Sequence, residues 1–491
     1  MRRSLRWLAG GFLTLAAWSA SAQSSLPPGV AGALQRAGLP TSAFSALVVP
    51  VAPDGAERLR HRAEVPVNPA SVMKLVTTYA AIDLLGPDFT WQTRFYTDGP
   101  ASGGALRGNL YIRGGGDPKL VLERLQEAFA VLQTKGVQVV LGDIVLDHSA
   151  FELPATHPGD FDGEGLRPYN ASPDALLVNF KSVILKFQPD PAAGVAVVSS
   201  EPPLAGLAID ATVPLSKAGC GDWRGALQAR FDDANTVRFE GRYPQSCGEK
   251  VWPVAYQDPA SYAARAIEGL WRASGGALTG KVRTGLTPPA ATLLHEAQSL
   301  PLLDIITDVN QWSNNVMAQQ VFLTLGRLSP ARVDAATAPR GPLTPVRTGR
   351  FERSREVVAR WWKTTFGIRP TPPVMDNGAG LSRDERITPD ALVGLLRHAA
   401  QHPNGERFVQ SLSVAGVSGT AARMARGPDS AARGNAWLKT GTLRDVVGIA
   451  GYVNAVNGTR YAVVGFVNHP NAGAGRPALE ALVEWSAGLK D

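Results

Sequence analysis

The stretch NPASVMKLVTTYAA, residues 68–81, sets a serine and a lysine three apart, Ser71 and Lys74, at the mouth of an apolar segment. Leu75, Tyr79, Ile82 and Leu85 recur near helical spacing and Gly86 stops the run, so 71–86 reads as a helix. Residues three apart share a helix face, which lets Lys74 reach the Ser71 hydroxyl. A serine alone is a poor nucleophile and needs a base. Lysine can be that base only when neutral, and its ordinary pKa of about 10.4 leaves almost none neutral at physiological pH. Burial and a second nearby cation both push the proton off. The pattern therefore predicts a partner cation elsewhere in a chain that has only 11 lysines. Alone it is weak, because short patterns match by chance.

Two later stretches supply what the first one lacks. Ser313-Asn314-Asn315 lies in DVNQWSNNVMAQQ; its hydroxyl can relay a proton between Lys74 and a leaving amine, and the Asn315 amide can hold a substrate peptide group. Lys439-Thr440-Gly441, followed by Thr442, lies in WLKTGTL. A strand edge there can pair with an extended substrate, and glycine lets that substrate lie close. Lys439 is the predicted second cation, and Lys439, Thr440 and Thr442 together suit a carboxylate. The N–H groups of Ser71 and Thr442 can form an oxyanion hole. Singly, each lysine reads as a solvated surface charge. Together and in this order, the three patterns resemble the S-x-x-K, S-x-N-type and K-T-G set of β-lactamases and penicillin-binding proteins.

The rest of the chain bounds the reading. Its 491 residues suggest more than one domain. Residues 1–22 read as a secretory signal peptide: Arg2, Arg3 and Arg6, a short apolar core, then Ala20-Ser21-Ala22 before Gln23. Cleavage after Ala22 implies a periplasmic protein and takes the net charge from +7 to +4, since no acid is lost. No later apolar run is long enough to span a membrane, so no stable membrane anchor is expected. No basic stripe is interleaved with aromatics, which argues against nucleic acid. Cys220 and Cys247 suggest a disulfide in an exported protein. LHEAQS, 294–299, starts like a zinc motif but has Ser299 in place of the second histidine, so no metal is expected.

Texture divides the chain. Residues 45–64 read as a hairpin turning at Asp54-Gly55. From 90 to 289, apart from a helix over 120–136, most of the sequence alternates like strands. Helical patterns return at 290–325 and 351–366, separated by a Pro- and Arg-rich stretch, 327–350, that reads as an exposed loop. The end reads as strands turning at Asn457-Gly458, then a packed helix. The fold class expected is multidomain α/β (α+β): residues 23–89 and 290–491 form one discontinuous domain with an antiparallel sheet and helices. A strand-rich insertion of two subdomains interrupts it at 90–289.

At this point the chain resembles the low-molecular-mass class C penicillin-binding proteins, the D-alanyl-D-alanine carboxypeptidase/endopeptidases. The 242 residues between Ser71 and Ser313, against 126 between Ser313 and Lys439, carry the resemblance, because an insertion separates the first two motifs in that family. GGGDP (114–118), YNASPDALLVN (169–179), DNGAGLSR (376–383) and AGVSGT (415–420) add to it. The resemblance implies a penicillin-binding, β-lactamase-like transpeptidase domain without cofactor. Its partners would be peptidoglycan peptide stems and β-lactams. Ser71 would be acylated, Lys74 would act as its base and Ser313 would shuttle protons. Asn315, Lys439, Thr440, Gly441 and Thr442 would bind substrate, with Arg383 toward the diaminopimelate side chain and Glu164 as an acidic contact from the insertion. Two other readings use the same residues: a β-lactamase or esterase, marked by rapid release of hydrolysed penicillin, and a non-catalytic wall-binding protein, marked by wall binding without turnover.

Overall fold

The computed structural model describes residues 25–327 and 347–490. The expected signal peptide and residues 328–346 of the Pro- and Arg-rich stretch lie outside them. Six strands form an antiparallel sheet in the order Leu59–His61, Phe44–Pro50, Arg460–Asn468, Val446–Asn454, Ala436–Leu443 and Ser413–Val414. The two ends of the chain meet in it, with Leu47 opposite Val464. Both faces of the sheet are covered. Ala450, Tyr452, Val464 and Phe466 join the core beneath the helices Lys74–Leu85 and Pro389–Gln401, and Ile449, Val453, Val463 and Val467 join a second core with the helices Pro28–Arg36 and Arg476–Ala487. Burial on both faces explains why VVGIAGYV is a nearly continuous apolar run rather than an alternating one.

The helix Lys74–Leu85 is buried at every position except Asp83, as expected of a helix that is apolar all round. It is entered through a single 3₁₀ turn, Ala70–Met73, which carries Ser71. Leu302–Trp312 and Asn315–Leu325 pack beside it, and Phe351–Phe366 closes this layer through Trp361 and Trp362.

Between these halves lies the strand-rich region. One five-stranded sheet runs Val282–Thr284, Ile144–Asp147, Leu110–Arg113, Gln92–Thr97, Thr292–Gln298; a second runs Tyr243–Pro244, Thr212–Ser216, Val195–Glu201, Ser182–Asp190, Lys250–Ala255. Both lean on one apolar cluster that includes Phe95, Leu146, Val183 and Phe187. Two features differ from the texture of the sequence. Residues 292–298, expected to begin a helical segment, form an edge strand antiparallel to Gln92–Thr97 and so extend this region past residue 289. Pro259–Ala273 is a helix inside it. Its signals are in the sequence: Asp258 caps the Ala260 N–H at 3.2 Å, Pro259 opens the first turn, and Tyr262, Ala266 and Leu270 repeat every fourth residue on the buried face. The surrounding strands masked it.

Cys220 and Cys247 are bonded, 27 residues apart. They clip the segment around Trp223 to the edge of the second sheet, far in sequence from Ser71. Changing both to serine is expected to lower the stability of this region by roughly 3 kcal/mol, from loop-closure entropy. Thermal unfolding measures the loss, and acylation by benzylpenicillin at low temperature should survive it.

Candidate active site

The turn before Ser71 is held from three directions. Asn68 Oδ1 accepts the Ala70 N–H at 2.8 Å, and Asn68 Nδ2 donates to Ser382 O at 2.9 Å. From the sheet, Asn468 Oδ1 accepts the Asn68 N–H at 2.9 Å. Two glycines let neighbours approach. A Cβ on Gly380, at φ 75°, would stand 1.9 Å from Ala70 O, and one on Gly441 would stand 2.7 Å from Pro69 O. Any side chain at either place would push the Ser71 turn away from the 376–380 turn or from the Ala436–Leu443 edge.

Ser71 is half-buried and its Oγ lies 2.9 Å from Lys74 Nζ. Lys74 is fully buried. Its Nζ also meets Asn315 Oδ1 at 2.6 Å and donates to the Ala379 carbonyl. With two N–H groups spent on these acceptors, a neutral amine would turn its lone pair to the Ser71 hydroxyl. Burial drives the Lys74 pKa far down; the Lys439 charge adds to this, and Glu385 opposes it.

Lys439, equally buried, stands across the site on the sheet edge and donates to Ser313 Oγ and to Thr440 O, each at 2.8 Å. Desolvation brings its pKa down to about 7. Ser313 has a left-handed backbone, φ 59°, at the joint between Leu302–Trp312 and Asn315–Leu325. That bend turns Ser313 toward Lys439, while Asn315 enters the core beside Lys74.

The sequence placed these residues in one site, and they do converge, with different pairings. Ser313 is bonded to Lys439 rather than to Lys74. Asn315, expected to hold a substrate amide, spends Oδ1 on Lys74 and donates Nδ2 to Tyr169 O at 3.0 Å, so it fixes the Lys74 amine and ties the inserted region to the site. Thr440 Oγ1 donates to Thr420 Oγ1 at 2.7 Å, which accounts for AGVSGT. Thr442 Oγ1 accepts from Arg476 at 3.3 Å, a basic residue that sequence patterns did not single out.

Arg383 is about half exposed; its guanidinium lies 5.1 Å from the Phe161 ring centre and 3.9 Å from Asp445. Glu164 pairs with Arg167 at 3.3 Å. A second acid whose charge Arg383 feels is Asp162, which accepts from Tyr169 Oη at 2.8 Å and from Asn170 Nδ2 at 2.7 Å; burial raises its pKa, and these hydrogen bonds, the Glu164 N–H and the Arg383 charge together lower it. Asp162 lies two residues from the expected position, in a turn whose hydrogen bonding no periodicity reveals. Among the described residues no group of three or more His, Cys, Asp or Glu could hold a metal, and no helix is long and apolar enough to cross a membrane.

A half-buried serine beside a buried lysine at the foot of a core helix, faced by a second buried lysine on an antiparallel sheet edge, defines a serine hydrolase of the low-molecular-mass penicillin-binding class. The chain belongs to the D-Ala-D-Ala carboxypeptidase 3 (S13) family, whose pattern it matches over residues 30–489. It is 25% identical over 404 residues to the D-alanyl-D-alanine carboxypeptidase DacB of Haemophilus influenzae, covering 82% of this chain and 81% of that one. It is 27% identical over 433 residues to the D-alanyl-D-alanine carboxypeptidase of Actinomadura sp., covering 84% and 76%. The crystal structure of penicillin binding protein 4 (dacB) from Haemophilus influenzae shares the fold, with a TM-score of 0.71 at 23% identity over 94% of this chain and 99% of that one; a second structure of that protein holds a β-lactam.

Proposed function

We propose that the protein is a serine-type D-alanyl-D-alanine carboxypeptidase/endopeptidase that cleaves D-Ala–D-amino-acid bonds of peptidoglycan and is acylated by β-lactams. Lys74 takes the Ser71 proton as Oγ attacks the carbonyl carbon of the D-Ala on the donor side. The N–H groups of Ser71 and Thr442 receive the developing oxyanion. The amide C–N bond breaks, and Ser313 relays to the departing amine the proton that Lys74 took from Ser71, so that Lys74 is neutral again. Lys439, Thr440 and Thr442 hold the carboxylate beside that amine. Lys74, neutral again, takes a proton from water as the water oxygen attacks the ester carbonyl; the C–O bond to Ser71 breaks, Lys74 hands that proton to Ser71 Oγ, and the acid product leaves. A terminal D-Ala and a cross-linked diaminopimelate both carry such a carboxylate, so one site serves both cleavages. Gly441 lets the substrate approach the strand edge, and Arg383, with Asp162 nearby, faces the diaminopimelate side chain. We place the enzyme in the periplasm, exported by a signal peptide ending at Ala22. Residues 23–89 with 299–491 would form the catalytic domain and 90–298 the insertion.

The observation that carries this reading is the 2.9 Å approach of a fully buried lysine to the Ser71 hydroxyl. The test is chromatography of D-Ala released from a diaminopimelate pentapeptide and of monomers released from a cross-linked dimer. Both products are expected. Release of neither, with benzylpenicillin left intact and unattached, would sink the proposal, and rapid turnover of the drug would shift it to a β-lactamase.

A further inference from the structure

One buried acid in the site belongs to none of the three motifs. Glu385 follows the DNGAGLSR stretch by two residues and is fully buried. Its Oε1 accepts three backbone N–H groups, from Asp376 at 3.0 Å, Asn377 at 3.2 Å and Gly378 at 3.0 Å. Its Oε2 is buried with no hydrogen-bond partner among the described residues. The turn so gathered presents its carbonyls to the catalytic helix: Gly378 O accepts from Thr77 Oγ1 at 2.6 Å, and Ala379 O accepts from Lys74. The chain Glu385, turn, Lys74 is thus continuous in hydrogen bonds.

We infer that Glu385 is a positioning residue for the acylation step: it gathers the 376–380 turn whose carbonyls hold Lys74, and it places a negative charge where that charge acts on the Lys74 amine. The inference rests on the reading of Ser71 and Lys74 given above. Anchoring alone does not account for a carboxylate. A neutral amide oxygen could accept the same three N–H groups, whereas a buried acid with an unpartnered oxygen costs stability. Burial raises its pKa to about 7, and the Lys74 charge works against that rise. The other charged groups around it are Asp376, which opposes its ionisation; Arg355, 3.5 Å from Asp376; Arg386, whose guanidinium donates to the Glu385 carbonyl at 2.8 Å; and Lys439 beyond Lys74. Ionised, Glu385 favours the protonated form of Lys74. Protonated, it releases Lys74 to act as a base.

The test is the pH dependence of benzylpenicillin acylation in the full chain, followed by intact mass. Glu385→Gln keeps the accepting oxygen and removes the charge. Its acidic limb is expected about one pH unit below that of the wild type, the size of shift a nearby opposite charge imparts. Glu385→Asp keeps the charge on a shorter arm; it should acylate more slowly at every pH with the limb restored. A purely structural role would lower rates without moving the limb. A folded Glu385→Gln protein with the wild-type limb would overturn the inference. If that variant fails to fold, the wild type decides: with ¹³C-labelled glutamate carboxyls, one resonance should titrate near neutral pH and shift on acylation. Its absence would also overturn the inference. No acylation of the wild type at any pH would remove the reading of Ser71 itself, and this inference with it.

Discussion

Ser71→Ala is expected to give a protein that folds, melts near the wild-type temperature and forms no adduct with benzylpenicillin. Ser71 is half-buried at the lip of the site, and among the described residues the one hydrogen-bond contact of its Oγ is Lys74 Nζ at 2.9 Å. The turn that carries it is secured by Asn68, Asn468 and the approach of Gly380 and Gly441, none of which uses the hydroxyl. Removing one oxygen therefore leaves the packing in place and removes the only atom the mechanism acylates. Release of D-Ala should fall by at least about 10⁴-fold, as when the nucleophile of a serine hydrolase is deleted. Intact-mass spectrometry with peptide mapping reads the result directly. An adduct that persists on the 68–81 region, or appears elsewhere, would place the nucleophile on another residue.

How much of this was legible beforehand follows from the kind of signal each part carries. Ser71 and Lys74 share a helix face, so their spacing alone predicts contact. The buried strands 446–454 and 460–468 are long apolar runs around an Asn-Gly turn, and such runs fold as they read. Convergence of Lys439 and Ser313, 126 residues apart, was legible only because three patterns occurred together. What failed was local conformation decided by tertiary contact. Ser313 adopts a left-handed backbone, and that one dihedral hands its hydroxyl to Lys439 and sends Asn315 to Lys74. Residues 292–298 carry no strand alternation and become a strand because Gln92–Thr97 offers them a free edge. Glu385 was illegible for the same reason. Its partners are three backbone N–H groups, and no side-chain pattern encodes them.

Lys74→Arg should be the most informative failure, because it keeps a long basic side chain in place and loses the chemistry. A guanidinium does not give up its proton in a protein, so it cannot serve as a base. The cage formed by Ser71, Asn315 and Ala379 is also cut to a single nitrogen. Acylation is expected to fall by about 10²–10⁴-fold, the range for loss of general-base assistance. Wild-type acylation should rise with pH through the lowered Lys74 pKa and fall as the amine takes up a proton below it. The stability consequence runs the same way. Lys439, at about 7 in the fold against an ordinary 10.5, stays unprotonated over a window in which the unfolded chain is charged. Its burial therefore costs stability in full below about pH 7, and the cost is relieved as pH rises toward 10.5. Lys74 is shifted in the same direction, so Lys74→Met should be as inactive as Lys74→Arg yet melt higher than the wild type at neutral pH. That gain should narrow as the solution approaches the ordinary lysine range. Two lysines held at such a cost fit a site in which activity is kept at the expense of stability. An arginine variant that acylates at the wild-type rate would move the base away from Lys74.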